Sequence, residues 1–266
     1  MNYNLITDEE NLRQFYEWAG YEGIEKRDQV LFLSLSARAK HLTQEERETI
    51  KLGRAEMFRR EIVHDFNYPV FLRTVKQYEV AEEVYTTKNG YPIPEKCLSV
   101  YFNINPSSMI KAYYDFQNDM NRRLKERLTS DVKDLTDFYK GIGKADTLLK
   151  NYIQKSRGDK LFIDFDFDIA DHVMDKEKVW KHTIYPQFCE ILVNAGCRVG
   201  KIVTRNGFHV MIDVKSMEGC GKENNPYFLA DGVRLNDEGD LSEAVYNKNH
   251  MIPLPGTGVI RFEEVK

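Results

Sequence analysis

Cysteine is scarce: Cys97, Cys189, Cys197 and Cys220 are four residues in 266, and no two stand in a Cys-x-x-Cys spacing. That argues against a disulfide framework and leaves a zinc knuckle without a ligand set, so free thiols are expected. No apolar run is long enough to span a bilayer, so no membrane partner is expected. The opening stretch, MNYNLITDEENLRQF, lacks the basic-then-apolar pattern of a signal peptide, which sets a cytoplasmic location as the expectation. There is no internal repeat, no low-complexity linker and no nucleotide-binding P-loop. A strong charge of either sign is also missing: the formal net charge is −4, so the whole-molecule field does not point to nucleic acid.

What is present is a globular composition, 42% hydrophobic and 30% charged, with length for one large domain or two small ones. Residues 1–97 look mostly helical around one early strand. TDEE (7–10) and TQEE (43–46) both have the capping-box form. QVLFLSLSA (29–37) fits either a strand or a buried helix. The texture changes near residue 97, and residues 98–266 are expected to hold the functional core. LSVYFNI (98–104) alternates as a strand and ends at NPSS (105–108), followed by a helix through about Leu128. KLGRAEMFRREIV (51–63) and NRRLKERL (121–128) are locally basic; each is a solvated helix face or a template contact.

The most readable part is LFIDFDFDIADHV (161–173). As a strand it sends Ile163, Phe165 and Phe167 to one face and Asp164, Asp166 and Asp168 to the other. A helix over about 175–195, kinked or split by Pro186, precedes RVGKIVTRNGFHVMIDV (198–214). There Asn206-Gly207 signals a hairpin through positive φ angles. Strand, helix and hairpin make a βαββ unit, and HMIPLPGTGVIRF (250–262) is expected to add a final strand pair. The fold class is therefore α+β (α/β), an open sheet with helices on one face.

A row of like charges on such a strand needs a neutraliser. An exposed edge would need none. An EF-hand loop fails, because its glycine position falls on Ile169 and its terminal glutamate on Asp175. Carboxylates two apart on a strand suit Mg²⁺ or Mn²⁺, which take oxygen ligands and bring phosphate with them. If the hairpin lies in the same sheet, His209 stands beside the aspartates. The turn Thr204, Arg205, Asn206 then offers a hydroxyl, a guanidinium and backbone amides to phosphate oxygens.

The order of FIDFD, helix and TRNGFHV resembles the archaeo-eukaryotic primase (primase-polymerase) superfamily over roughly residues 98–262. VYFNINPSS is similar to an upstream family segment, with Ser107 in place of a basic residue. DLSEAVYNKNHMIPLPGTG (240–258) is similar to its third motif, with Ser242 in the slot of the acid and Pro253 where arginine often stands. The resemblance implies an RRM-like βαββ core with an additional αβ unit and a helical N-terminal region. It further implies a DNA primase or polymerase of DNA replication: a nucleotidyltransferase with a two-metal mechanism, acting on nucleoside triphosphates and a single-stranded DNA template. Asp164, Asp166 and Asp240 would be the catalytic metal ligands, with Glu243, Asp237 and Asp213 as reserves for the third. His209, Thr204, Arg205 and Asn206 would bind the nucleotide. A helicase would have to be a separate protein. Two rivals remain: a glycosyltransferase that uses D-x-D to hold Mn²⁺ and a nucleotide-sugar, and a catalytically inactive primase-like nucleic-acid-binding module.

Overall fold

The computed structural model describes residues 1–24, 28–129, 144–170, 173–218, 220–234, 241–247 and 251–266. It is a mixed α+β fold with two antiparallel sheets. The first sheet holds β1 (Gln29–Arg38), β2 (Ala55–Val63), β3 (Leu98–Asn103) and β9 (Met251–Pro253) in the order β2-β1-β3-β9, and the short β4 (Ser107–Ser108) pairs with β1. The second runs β10-β6-β7-β5-β8, from β5 (Phe162–Ile169), β6 (Val199–Val203), β7 (Gly207–Asp213), β8 (Leu241–Asn247) and β10 (Arg261–Val265). Among the described residues no helix is long and apolar enough to cross a membrane. The four cysteines are free thiols.

β1 is a strand, and its periodicity is hidden because both of its faces are covered. Leu31, Leu33 and Leu35 enter the main core, while Val30 and Phe32 pack under helices α4 (Met109–Thr129) and α5 (Ala145–Lys155). Basic segment 51–63 is largely the edge strand β2 rather than a helix face. The division expected after residue 97 thus falls inside one sheet, since β1 pairs with both β2 and β3.

Helix α1 (Glu9–Ala19) joins the two sheets. Trp18 stacks on Phe162 of β5 at 5.3 Å, and Phe15 meets Phe102 of β3 at 5.3 Å and Phe262 of β10 at 5.4 Å. Asp8, not Thr7, caps α1, accepting from the Asn11 amide; the Thr7 hydroxyl instead donates to the Gly258 carbonyl at 2.6 Å. The second expected capping box is real: Thr43 and Glu46 satisfy each other's amides at the start of α2 (Gln44–Ile50).

Two expectations about the chain's later part are corrected. β9 and β10 do not pair with each other; β9 joins β3 in the first sheet and β10 joins β6 in the second. The intervening Pro255–Gly258 turn carries the chain between sheets and is pinned by Thr7 and Asp8 amides donating to the Gly256 carbonyl. Gly256 has φ +78°, and a Cβ there would stand 2.4 Å from the Asp8 carbonyl oxygen. Pro186 does not break its helix either. The segment from Lys176 to Asn194 continues through it, wound as a π-helix over Trp180–Cys189.

Candidate active site

Strand β5 is central in its sheet, paired with β7 on one side and β8 on the other. Its apolar residues Ile163, Phe165 and Phe167 are buried against the π-helical segment and Val210 and Ile212, so the aspartates must face the opposite way. That face meets the first sheet across a cleft of about 390 Å³, lined by Asp166, Asp168, His209 and the 204–206 turn on one wall. The other wall is built from Ser34, Ser36, Arg38, Ser99 and Tyr101, and Lys40 and His41 stand at its end.

Register fixes the acid row. Asp164 lies opposite Met211, Asp166 opposite His209 and Asp168 opposite Gly207. His209 is almost wholly buried. Its Nδ1 is 3.1 Å from Asp164 Oδ2, and its Nε2 is 3.6 Å from Asp166 Oδ1, so one imidazole sits between the two carboxylates. Burial alone would lower the His209 pKa; the charge and hydrogen bond of Asp164, with Asp166 and Asp168 behind, outweigh it and raise it to about 9. Asp166 is raised to about 6, chiefly by burial; the charge of His209 acts against this, Asp168 and Asp164 add repulsion, and Lys40 across the cleft lowers it slightly. The imidazolium therefore neutralises part of the row, and negative charge remains in excess.

The opposite wall has the reverse problem. Its Arg38 and Lys40, like Arg205 of the 204–206 turn, form no ion pair among the described residues; Arg38 lies over the Tyr101 ring at 5.7 Å. His41 between them is lowered to about 4, by burial first and then by Arg205, Lys40 and Arg38. Tyr101 is raised, mainly by burial, and it feels the charge of Asp166 across the gap. Arg38, Lys40, His41 and Tyr101 were not singled out from the sequence. No local pattern marks them, because three strands assemble the wall.

The hairpin is closed differently from expectation. Neither Asn206 nor Gly207 has a positive φ. Instead the Thr204 hydroxyl donates to the Gly207 carbonyl at 3.0 Å and accepts from its amide at 3.1 Å. Glycine is required for another reason: a Cβ at Gly207 would lie 2.0 Å from the Phe167 carbonyl oxygen. Thr204 is thus a clasp, which leaves the Arg205 side chain and Asn206 facing the cleft.

Of the acids considered for a third ligand, Asp240 and Asp237 lie outside the described residues. Glu243 is in β8, in register opposite Asp168. Asp213 is removed from the set: its carboxylate accepts from Arg198 at 2.6 Å and from the Lys215 amide at 2.9 Å. Among the described residues no group of three or more His, Cys, Asp or Glu is gathered for a metal. Asp164 and Asp166 do match the oxygen chemistry of Mg²⁺ or Mn²⁺, and the raised Asp166 pKa marks charge that a cation would relieve.

The Asn-Pro segment has a positioning task. Asn105 Oδ1 accepts from the amides of Leu161 (2.7 Å) and Phe162 (2.8 Å), and its Nδ2 donates to the Phe162 carbonyl at 3.0 Å. The chain leaving β3 therefore fixes the start of the aspartate strand. Ser107, where a basic residue was the family expectation, is fully buried and accepts from Asn103 at 3.1 Å, so it offers nothing to a ligand.

Comparison with protein-family models, curated proteins and solved structures found no significant match.

Proposed function

We propose that the cleft carries out template-directed nucleotidyl transfer, making or extending primers on single-stranded DNA as a primase-polymerase does, on an RRM-like β5–β6–β7 core. The observation that carries this reading is the facing of two oppositely charged walls: Asp164, Asp166 and Asp168 with His209 on one, and Arg38 and Lys40 on the other, with Arg205 on the turn beside the acids; the three bases have no acidic partner among the described residues. A ligand that satisfies both at once must bring cation and polyanion together, as a metal-bound nucleoside triphosphate does.

Asp164 and Asp166 would hold the metal. Held there, Mg²⁺ or Mn²⁺ would supply a lowered pKa for an attacking 3′-hydroxyl and an offset to the charge on the leaving pyrophosphate. Arg38, Lys40 and Arg205 bind the triphosphate, and the 204–206 turn positions it. His209, buried beside Asp164 and Asp166, would donate a ring N–H to a phosphate oxygen. In the reaction the 3′-oxygen bonds to the α-phosphorus while the bond to the bridging oxygen of pyrophosphate breaks. Deprotonation of the hydroxyl balances the charge.

One observation favours a second reading, a binding module without turnover: the His209 ring occupies the space between the two carboxylates. A primer-synthesis and extension assay on single-stranded DNA, with Mg²⁺ or Mn²⁺ and labelled ribo- or deoxyribonucleotides, separates the two. Products that vanish in Asp164→Asn/Asp166→Asn support catalysis and report sugar preference. Metal-dependent triphosphate binding with no product supports the module. Turnover of a nucleotide-sugar in place of both would assign a glycosyltransferase.

A further inference from the structure

The first sheet extends the cleft well beyond the acid row. Strand pairing places Pro253, Tyr101, Ser34 and Arg60 in one transverse row, from β9 across β3 and β1 to the β2 edge. The next rows hold Ser99, Ser36 and Met57, then Arg38 and Ala55. Helices α4 and α5 cover only the far half of this face, over Val30 and Phe32. On the open half, the charged residues that the four strands contribute are both bases, Arg38 and Arg60. The acids of β2, Glu56 and Glu61, pair in register with Ala37 and Leu33 of the opposite, core-facing side.

Among the described residues neither base has an acidic partner. Arg60 donates to Asn151 Oδ1 of α5, and Arg38 lies over Tyr101. Lys150 adds an ammonium at the same edge, 3.4 Å from the Arg60 carbonyl and 3.7 Å from the exposed Asp146 carboxylate. Between the bases the floor is low, because Ser34, Ser36, Ser99 and Ala55 are small. Tyr101 and the half-exposed Met57 supply flat or soft apolar faces within it. Cations at intervals, a shallow floor and an aromatic face are what a sequence-tolerant single-strand site requires. Basic segment 121–128 of α4 lacks this character: Arg122 pairs with Asp119 and Glu126, and Arg123 with Asp119.

We propose that this face is the track of a single-stranded polynucleotide, which crosses β3, β1 and β2 from Tyr101 beside the acid row to Arg60 and Lys150 at the sheet edge. From Tyr101 to Arg60 the span is two strand spacings, roughly 10 Å. The proposal deepens the nucleotidyl-transfer reading and places the template, but the two can fail separately.

The test is fluorescence anisotropy of a labelled 12-nucleotide oligodeoxynucleotide, and of the same sequence as RNA, at salt from 50 to 200 mM. Arg60→Glu should weaken binding about tenfold or more and flatten the salt dependence by roughly 0.7 for each phosphate no longer neutralised. Arg60→Lys should restore most of the affinity, and Lys125→Glu on α4 should change nothing. Wild-type binding by a folded Arg60→Glu protein overturns the track. If that variant unfolds, Lys150→Glu carries the same expectation, and wild-type binding by it overturns the track equally. Asp164→Asn/Asp166→Asn should retain oligonucleotide affinity. Loss of metal-triphosphate binding in that double variant, alongside an unmoved Arg60→Glu affinity, would sink the track and leave the catalytic reading standing. The reverse pattern would sink the catalytic reading alone.

Discussion

The β5–β7 wall of the cleft presents three carboxylates, and the wall it faces presents bases. They handle their charge differently. The acid wall carries its own partial neutraliser, because His209 is wedged between Asp164 and Asp166 and held protonated by them. The basic wall has none among the described residues, and the repulsion is visible at His41, which burial and its cationic neighbours push down to about 4. The acid wall thus holds an internal countercharge, while the basic wall holds none among the described residues.

The largest effect is expected on the acid wall. If the proposed function holds, Asp164→Asn/Asp166→Asn should lower nucleotide incorporation by roughly 10³-fold or more, because the two proposed metal ligands and their charge are lost together. Quantified primer extension by the folded variant checks it.

His209→Asn comes next. It strips the imidazolium from two carboxylates, and urea unfolding near neutral pH without metal should show a loss of about 3 kcal/mol. The pH profile sharpens this. The folded-state pKa of His209 is raised from 6.5 to about 9, so its stabilisation is complete below pH 6.5 and lost as pH rises through 9. The variant should flatten that window. A profile unchanged by the substitution would show that the wedge is not charged.

Gly207→Ala tests the frame that presents both histidine and turn. Its Cβ would stand 2.0 Å from a backbone oxygen of β5, with no flexible side chain to yield, so a loss of about 2–3 kcal/mol is expected by thermal or urea unfolding.

The smallest effect has the opposite sign. Asp166 has its pKa raised from 3.8 to about 6, which makes its ionised form a liability above that pH. Asp166→Asn should raise the melting temperature of the metal-free protein at pH 7 by a few degrees, at about 2–4 °C per kcal/mol. A lower melting temperature would mean that the carboxylate, not its absence, stabilises the fold.

The acid wall was legible in the sequence because its pattern is local. Alternation over 161–168 marked the strand and its two faces, and GFHVMID marked the matching face of β7. The basic wall was not. β1 is buried on both faces, so its periodicity is flat, and β2 reads as a charged helix face until its pairing with β1 separates Arg60 from Glu61. Tyr101, Ser34 and Arg60 become neighbours only through strand pairings between segments about 26 to 67 residues apart, which no local motif encodes. The final strands were misread for the same reason. MIP and RFEEV look like a hairpin around Pro-Gly-Thr-Gly, but that turn is anchored on Thr7 and Asp8 and hands the chain to the other sheet. Asn206-Gly207 did mark a hairpin, through a hydroxyl clasp and a close backbone approach rather than left-handed φ angles.

The most direct measurement is electron paramagnetic resonance of Mn²⁺ titrated into the protein with and without a nucleoside triphosphate. If the two walls act on one metal-nucleotide ligand, triphosphate should tighten Mn²⁺ at least tenfold beyond what nucleotide and metal achieve in solution. That gain should disappear in Asp164→Asn/Asp166→Asn and shrink in Arg38→Ala/Lys40→Ala. Mn²⁺ binding that is indifferent to triphosphate, or unchanged by loss of either wall, would contradict the account.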